Sequence, residues 1–478
     1  MTSTVIHWFR NDLRIHDNPA LSEAAKSGTV LPIYIDDTTH APKEATIGAA
    51  SKVWLDHSLR KLNEDLDNKL HVFQGDPSKI LSNLVSQYSI KDIFWNRCYE
   101  PWQISRDKHL KQLLINQGVG AHSFNGSLLW EPWEILKKDN TPYKVFTPYY
   151  RKGCLESKPP RAPIQAPKTL SLLDVSQEHH IDDLHLLPAI NWHEPLITYW
   201  EPGELGAKKT LKRFLDEGLN DYKEGRNFPA KHHTSQLSPY LHFGEISPHQ
   251  IWHAVTMRQQ TSDTDHFCSE LGWREFSYYL LYHIPTLPTK NLNTSFDQFK
   301  WEQNATHLDA WKKGNTGIPI VDAGMRELWA TGYMHNRVRM IVASFLVKNL
   351  LIHWSEGANW FFDCLVDADL ANNSASWQWV AGCGADAAPY FRIFNPVLQG
   401  QKFDPDGIYT KHWVPELKKL DKKFLFKPWE ANENDLLNAG ITLGTTYPMP
   451  IVDLKESRNK ALKRYEKLKK PHQSQLLL

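Results

Sequence analysis

Residues 331–384 concentrate the side chains from which a site for a large polar molecule could be built. Asn336 and Arg337 stand side by side, Met340 follows one helical turn on, and Trp354 stands alone. Asp367 and Asp369 flank Ala368, Asn372 and Asn373 are paired, and Trp377, Gln378 and Trp379 follow in succession. Buried amides, acids and indoles each need a hydrogen-bond partner. So many in one helical region exceed what their neighbours can satisfy, and the run reads as the lining for a redox-active ligand.

Asn336 offers an amide, Arg337 a guanidinium that pairs with phosphate, and Met340 a soft apolar contact. Together they suit an unusual pyrimidine; each alone could be packing. Asp367 and Asp369 could accept from a sugar chain, an adenine or Arg339, or could cap helices. Trp301, Trp354 and Trp377, taken singly, read as core. Upstream, Thr234, Ser235, Gln236, Leu237 and Ser238 precede Pro239. Their hydroxyls and backbone N–H groups could hold a phosphate, with Tyr222, Arg226 and His233 nearby; alone, the run is an ordinary Ser-Pro helix start. On a helix, Glu270 and Trp273 share a face and Arg274 follows at i+4 from Glu270. An indole beside a carboxylate can hold a flat base by stacking while the acid bonds its edge. The plain alternative is a Glu270 to Arg274 surface pair.

The elements that must position these groups fall into two kinds. Residues 5–9, 30–35, 70–74, 92–95 and 121–124 read as short strands. Helical patterns over 19–26, 49–66, 77–87 and 104–116 alternate with them. That alternation predicts a doubly wound parallel sheet. The first turn, residues 10–14, is Arg-Asn-Asp-Leu-Arg, so the glycine-rich dinucleotide fingerprint is absent. Asn96, Arg97, Tyr99, Glu100 and Trp102 are candidates for a ligand at the sheet's carboxyl edge. Residues 157–202 are rich in Pro, His and acids and read as connector. Helices are expected over 204–218, 248–259, 265–283, 305–312, 319–330, 334–355, 358–366, 374–382 and 455–470. The fold class is therefore α/β plus all-α: a sheet domain over 1–130, a connector over 131–202, and a helical domain over 203–478.

The totals narrow the function classes. With 478 residues and a formal net charge of +1, any nucleic-acid contact must come from a local patch. Nineteen tryptophans suit either an aromatic core or electron carriers. Cys98, Cys154, Cys268, Cys364 and Cys383 are widely spaced, which points away from disulfides and zinc and toward a reducing cytoplasm. The start MTSTVIHWFRNDLR reads as strand rather than secretory leader. The longest apolar run is broken by Lys348 and is too short to span a bilayer.

Taken jointly, the residues resemble the DNA photolyase/cryptochrome family over nearly the whole chain. The runs WFRNDLR, TSQLSPYLHFGEIS, WREF, MHNRVRM, DADLANN, WQW and DAAPYFRIFNP carry the resemblance. Within the family the chain is most similar to bacterial cyclobutane pyrimidine dimer photolyases, on a branch close to plant cryptochromes. The resemblance implies FAD in the helical domain, with Tyr222 and residues 234–238 at its phosphates. Asp367, Ala368 and Asp369 would meet the ribityl or adenine side, with Arg274 and Arg339. Counting from Asp369 puts Asn373, rather than Asn372, at flavin N5. An amide there favours the reduced anionic flavin because it adds no opposing charge. Ser374, Ala375 and Ser376 depart from the glycines that many relatives carry.

By the same resemblance, Trp377, Trp354 and Trp301 would relay electrons to the surface. Glu270, Trp273, Asn336, Arg337, Met340 and Trp379 would surround a dimer flipped out of DNA, as the handling of a damaged base requires. Glu270, Asn336 and Asn373 would take part in the chemistry, and Arg226, Arg337 and Gln399 would contact DNA. An antenna pigment is implied in the sheet domain, methenyltetrahydrofolate before a deazaflavin, with no residues assigned to it. The expected partner is DNA containing cyclobutane dimers; the expected state is a cytoplasmic monomer with no membrane association. The rival is a cryptochrome-type blue-light photoreceptor, against which Glu270, Met340, the amide at the flavin and the lack of a tail all speak. A (6-4) photolyase would carry a histidine pair where Asn336 and Met340 stand. A mere nucleotide- or DNA-binding module would carry no pigment.

Overall fold

The computed structural model describes residues 3–387 and 391–469. Residues 388–390, in the middle of the DAAPYFRIFNP run, lie outside the described residues, as does residue 470 at the expected end of the basic helix. The chain forms two units. The first comprises Met1–Asn220, Ser235–Pro288 and Val366–Asn372; the second comprises Asp221–Thr234, Thr289–Leu365 and Asn373–Leu478.

The first unit holds the sheet. β1 (Thr4–Phe9), β2 (Thr29–Asp36), β3 (His71–Gln74), β4 (Asp92–Asn96) and β5 (Gly120–Phe124) run parallel in the order β3-β2-β1-β4-β5. Strands covered by helices on both faces are apolar along their length rather than alternating, as Val5, Ile6, Trp8 and Phe9, all fully buried, illustrate. α1 (Pro19–Ser27), α2 (Ala49–Asp65), α3 (Pro77–Tyr88) and α4 (Pro101–Asn116) supply the crossovers. Three of them begin with Pro at the first helical position, where its missing N–H costs nothing. Asn18 and Asp76 cap α1 and α3 by accepting backbone N–H groups. The doubly wound sheet read from the alternation of strands and helices is thus present. After β5 the chain returns to the sheet at Val30, whose N–H donates to Ser171 and whose carbonyl accepts from Leu173, both at 2.8 Å.

A doubly wound sheet usually binds ligands where its strand order reverses, here outside the carboxyl ends of β1 and β4. This chain fills that crevice with its own polar side chains. Arg10 reaches Asp107 with bonds of 2.8 and 2.7 Å and also bonds the Asn96 carbonyl. Asn96 donates to Asp12 at 2.5 Å and to Asn18 at 2.7 Å. Arg14, 1% exposed, donates to the carbonyls of Asp17, Gly126 and Gly244. The Arg-Asn-Asp-Leu-Arg turn is therefore a buried clamp, and Asn96 is one of its members rather than a ligand-facing group.

Gly244 sits against this clamp. Its φ is +68°, and a Cβ would fall 2.0 Å from the Asn11 carbonyl oxygen. Gly244→Ala is expected to destabilise the first unit by more than the roughly 1–2 kcal/mol of left-handed strain alone, because backbone cannot yield to the clash. Denaturant unfolding checks this; a loss below that figure would contradict it.

The second unit is helical apart from one isolated β-bridge, Leu443 to Tyr447, among the described residues. Here one sequence expectation is corrected. Residues 334–355 read as a single helix, but the structure divides them. Asn336–Ser344 is α-helical, Phe345–Asn349 is a π-helical turn, and a new helix begins at Trp354. Leu351 at φ +56° ends the first segment, and His353 caps the next by accepting from the Ser355 N–H. The apolar period runs through the break because both segments bury their faces, so periodicity alone could not reveal it. Among the described residues no helix is long and apolar enough to cross a membrane.

Candidate functional site

In the first unit the site is organised by Asp369. It stands immediately before the helix Leu370–Ala381 and accepts from the Asn372 N–H and side-chain amide, both at 2.7 Å. It also accepts from the Tyr278 hydroxyl, and His242 lies 3.9 Å away. Burial opposes its ionisation, but the nearby His242 ring foremost, with these donors, outweighs that and holds its pKa down to about 2. A buried carboxylate is thus kept charged. Asp367, two residues earlier, accepts from the Ser238 hydroxyl at 2.6 Å, and Ala368 between them is buried. Ser238 of the expected phosphate loop therefore meets Asp367 of the expected acidic pair in this unit, whereas Tyr222 and Thr234 belong to the second.

The loop has the conformation a donor cradle needs. Gln236 is held at φ +55°, which is unusual for a residue with a side chain, and Arg213 donates to its side-chain oxygen at 2.6 Å. Ser235 Oγ lies 3.4 Å from the Leu237 N–H. Local strain of this kind persists only where surrounding structure enforces it, and it clusters at ligand sites. Ser235 is half-buried and Ser238 exposed, but Ser238 gives its one hydroxyl proton to Asp367, so the cradle's donors are the Ser235 hydroxyl and the loop's backbone N–H groups. This donor set fits an anionic dinucleotide.

Glu270 and Trp273 lie on the helix Ser262–His283. The Trp273 ring stacks on Phe146 with centroids 3.8 Å apart, so one face is fixed by packing. Glu270 is 29% exposed with His266 at 3.6 Å. The suggested surface pair to Arg274 gives way to other partners. Arg274 donates to Glu275 and to the Ser127 carbonyl and lies over the Tyr278 ring. Glu275 was not singled out from the sequence, yet it accepts the N–H groups of Leu129 and Trp130, and burial pushes its pKa up to about 7. Tyr278 and His242 were likewise missed. Their position in the WREF and TSQLSPYLHFGEIS neighbourhoods was the available signal, but their shared partner Asp369 is about a hundred residues away in the chain.

At the sheet's carboxyl edge, Arg97 and Tyr99 both bond Glu131, and Trp102 bonds Glu100 at 2.7 Å. Burial raises the Glu100 pKa to about 7. The cleft that Arg97, Tyr99 and Glu100 line with Arg274 and Tyr278 is about 20 Å³, room for a water molecule rather than a ring system; Trp102 and Glu131 are not part of its lining.

In the second unit three arginines converge. Burial and the neighbouring Arg226, Arg337 and Arg339 hold the His335 pKa down to about 3, so that imidazole is neutral. Arg337 bonds the Asn227 side chain, lies 3.8 Å from Met340 Sδ, and stacks over Phe403. Gln399 is on the same short helix as Phe403, Pro396–Phe403, and is half-buried. Arg226 lies over the buried Tyr222 ring, and Arg339 donates to the Met334 carbonyl at 2.7 Å. Asn336 is exposed at the first position of its helix, with Met340 half-buried one turn on. Thr234 is half-buried at the end of this segment of the unit.

The second unit also sorts the tryptophans. Trp377 is 2% exposed and packs edge-on to Phe361 and Trp311. Its ring presses on Gly357, where a Cβ would come within 2.1 Å; only glycine lets the indole approach the helix Trp354–Cys364 so closely. Trp354, one turn before Gly357, is 2% exposed and donates to Asn291 at 2.9 Å. Trp301 is half-buried. Asn373 donates to the Ala358 carbonyl at 3.0 Å, whereas Asn372 is spent on Asp369. Consecutive residues on a helix face different ways, and the Trp-Gln-Trp run shows it. Gln378 is fully buried and bonds the backbone of Lys290 and Leu292. Trp379 is half-buried and donates to the Asp386 carbonyl. Lys348, buried and bonded to the Ala381 carbonyl at 2.8 Å, closes the C-terminal end of that helix.

Known proteins resemble this chain along nearly its whole length. Residues 5–168 match the DNA photolyase domain model, and residues 267–467 match the FAD binding domain of DNA photolyase. The chain is 48% identical to a deoxyribodipyrimidine photo-lyase from Agrobacterium fabrum, over 98% of this chain and 99% of that protein. It is 37% identical to Cryptochrome-2 of Arabidopsis thaliana, over 96% of this chain and 78% of that protein. Among solved structures, a bacterial class III photolyase from Agrobacterium tumefaciens superposes with a TM-score of 0.94 at 48% identity, covering 98% of both chains. With both domain models matched and full-length relatives well above 30% identity, the chain belongs to the DNA photolyase/cryptochrome family.

Proposed function

We propose that this protein is a photolyase that repairs cyclobutane pyrimidine dimers in DNA under blue light. The observation that carries the reading is the exposure of the expected dimer-facing groups. Trp273, Met340 and Trp379 are only half-buried, where large apolar side chains serving only as packing would be buried, and Glu270, Asn336 and Arg337 are accessible as well. The full-length likeness to a protein named deoxyribodipyrimidine photo-lyase supports the same substrate class.

FAD, when bound, supplies the light-driven electron that splits the cyclobutane ring. The chain's own residues supply placement. Ser235, Gln236, Leu237 and Ser238, with Tyr222 and Thr234, hold the phosphates; Asp367, Ala368 and Asp369, with Arg274 and Arg339, hold the remainder of the nucleotide. Asn373 presents an uncharged amide to the isoalloxazine. Glu270 hydrogen-bonds the flipped dimer, Asn336 bonds its edge, and Trp273, Met340 and Trp379 pack against it. Arg226, Arg337 and Gln399 meet the DNA strand, so affinity falls as salt rises. Trp377, Trp354 and Trp301 carry electrons inward from the surface to restore the reduced cofactor. In this scheme residues 1–130 carry an antenna pigment, methenyltetrahydrofolate before a deazaflavin, residues 131–202 are connector, and residues 203–478 bind FAD and DNA. The protein acts as a cytoplasmic monomer.

Blue-light repair of DNA carrying cyclobutane dimers, run beside DNA carrying (6-4) products, tests the proposal. Repair of the first substrate alone is expected. A coloured protein that repairs neither would instead support a cryptochrome-type photoreceptor, and a colourless one would end the FAD assignment. Glu270→Ala is expected to lower the repair yield by roughly tenfold, the scale of one well-placed hydrogen bond of about 1.5 kcal/mol. It should leave the pigment in place, because Glu270 is partly exposed beside His266. Repair at the parental level would remove Glu270 from the scheme.

A further inference from the structure

One side chain outside the proposed scheme lies between two members of the relay. The ring of His353 is centred 5.2 Å from Trp301, nearly perpendicular to it, and 5.3 Å from Trp354 at 32°. It therefore touches both indoles. Its position is fixed: Nδ1 accepts from the Ser355 N–H at 3.2 Å and lies 2.7 Å from the Ser355 hydroxyl. The left-handed Leu351 sets the turn that brings it there.

We propose that the imidazole of His353 is a positioning residue of the outer relay step, bridging Trp354 and Trp301 so that charge crosses between them. The inference rests on the relay described above. In the step, an electron leaves Trp301 and arrives at oxidised Trp354. Trp354 is thereby reduced, Trp301 oxidised, and no bond is made or broken and no proton moves. An imidazole can serve this role only while uncharged, because a cation wedged between the rings would repel the positive charge passing from Trp354 to Trp301. The surroundings favour the uncharged form. Burial lowers the His353 pKa, while Glu356 on its own helix and Asp297 in the turn Thr294–Gln298 pull the other way without overcoming it. Ser355 and the two indoles, which touch it, carry no charge.

The test follows oxidised tryptophan by transient absorption in the flavin-loaded chain as a function of pH. In the parent, the yield of oxidised Trp301 should be constant at neutral pH. It should fall at least about tenfold as pH drops below the ordinary imidazole value near 6.5, the repulsion of unit charges about 5 Å apart discounted for partial solvent exposure. His353→Phe keeps a ring between the indoles and should lose that pH step while retaining fast transfer. His353→Leu should be slow at every pH. In NMR titration of the parent, the imidazole signal that disappears in His353→Phe should share the midpoint of the photochemical step. A pH step that survives in both variants, or transfer in His353→Leu at the parental rate, would overturn the proposal. Flavin content reports folding of each variant. Trp301→Phe separates the two ideas: undiminished flavin reduction in that chain sinks the relay itself, whereas its loss together with a parental His353→Leu sinks only the bridge.

Discussion

A Trp377→Phe chain should bind flavin and no longer reduce it under blue light. Trp377, the innermost indole of the proposed relay, is 2% exposed and held by Phe361, Trp311 and Gly357. Phenylalanine fills most of the same space, so the fold should survive with a cost of about 1–2 kcal/mol for the lost ring volume. A phenyl ring is far harder to oxidise than an indole, so the relay is cut at its inner end. The measurement is the flavin absorption spectrum during illumination with an external reductant present. Near-complete loss of photoreduction is expected, with repair by chemically reduced protein retained. Reduction at the normal rate would show that electrons enter by another route.

Asp369→Ala is expected to have the largest structural effect in the first unit. The substitution removes the acceptor for the Tyr278 hydroxyl and for the Asn372 N–H, and with them the cap of the helix Leu370–Ala381. A lost cap costs about 1 kcal/mol, and each buried donor left without a partner about 1–3 kcal/mol. A destabilisation of about 3 kcal/mol follows, with loss of flavin from the purified protein. Chemical denaturation and pigment content report both. The same carboxylate predicts a pH dependence. Its pKa is depressed from the ordinary 3.8 to about 2, so its stabilisation is fully present above about pH 4 and is lost as pH falls through that window toward 2. Asp369→Asn should flatten the stability curve there. An unchanged acid limb would show that other carboxylates dominate it.

The two expectations differ in what made them available. The tryptophans could be picked out by type, and their order could be read from a family resemblance. That Trp377 leans on Gly357 is a contact with no local signature, and that His353 lies against both Trp301 and Trp354 goes with a left-handed residue at 351 where the chain reads as one continuous helix. Asp367 and Asp369 were visible as a pair, and the Thr234 to Ser238 run as a donor cluster. Their meeting through Ser238 and Asp367 spans 129 positions and has no local signature.

The sequence by itself determined the five parallel strands, the crossover helices and the helical character of the later chain, because apolar periodicity and Pro or Asn at helix starts are local properties. It also determined which residue types were available for chemistry. Tertiary structure alone decided how those residues are used: that the Arg10 to Arg14 turn is a clamp rather than a ligand loop, that Arg274 answers Glu275 rather than Glu270, and that Asp369 remains charged in a buried place. The physical reason is that a buried polar group takes its partner and its charge state from whatever surrounds it in space. Those surroundings are assembled from residues tens to hundreds of positions apart.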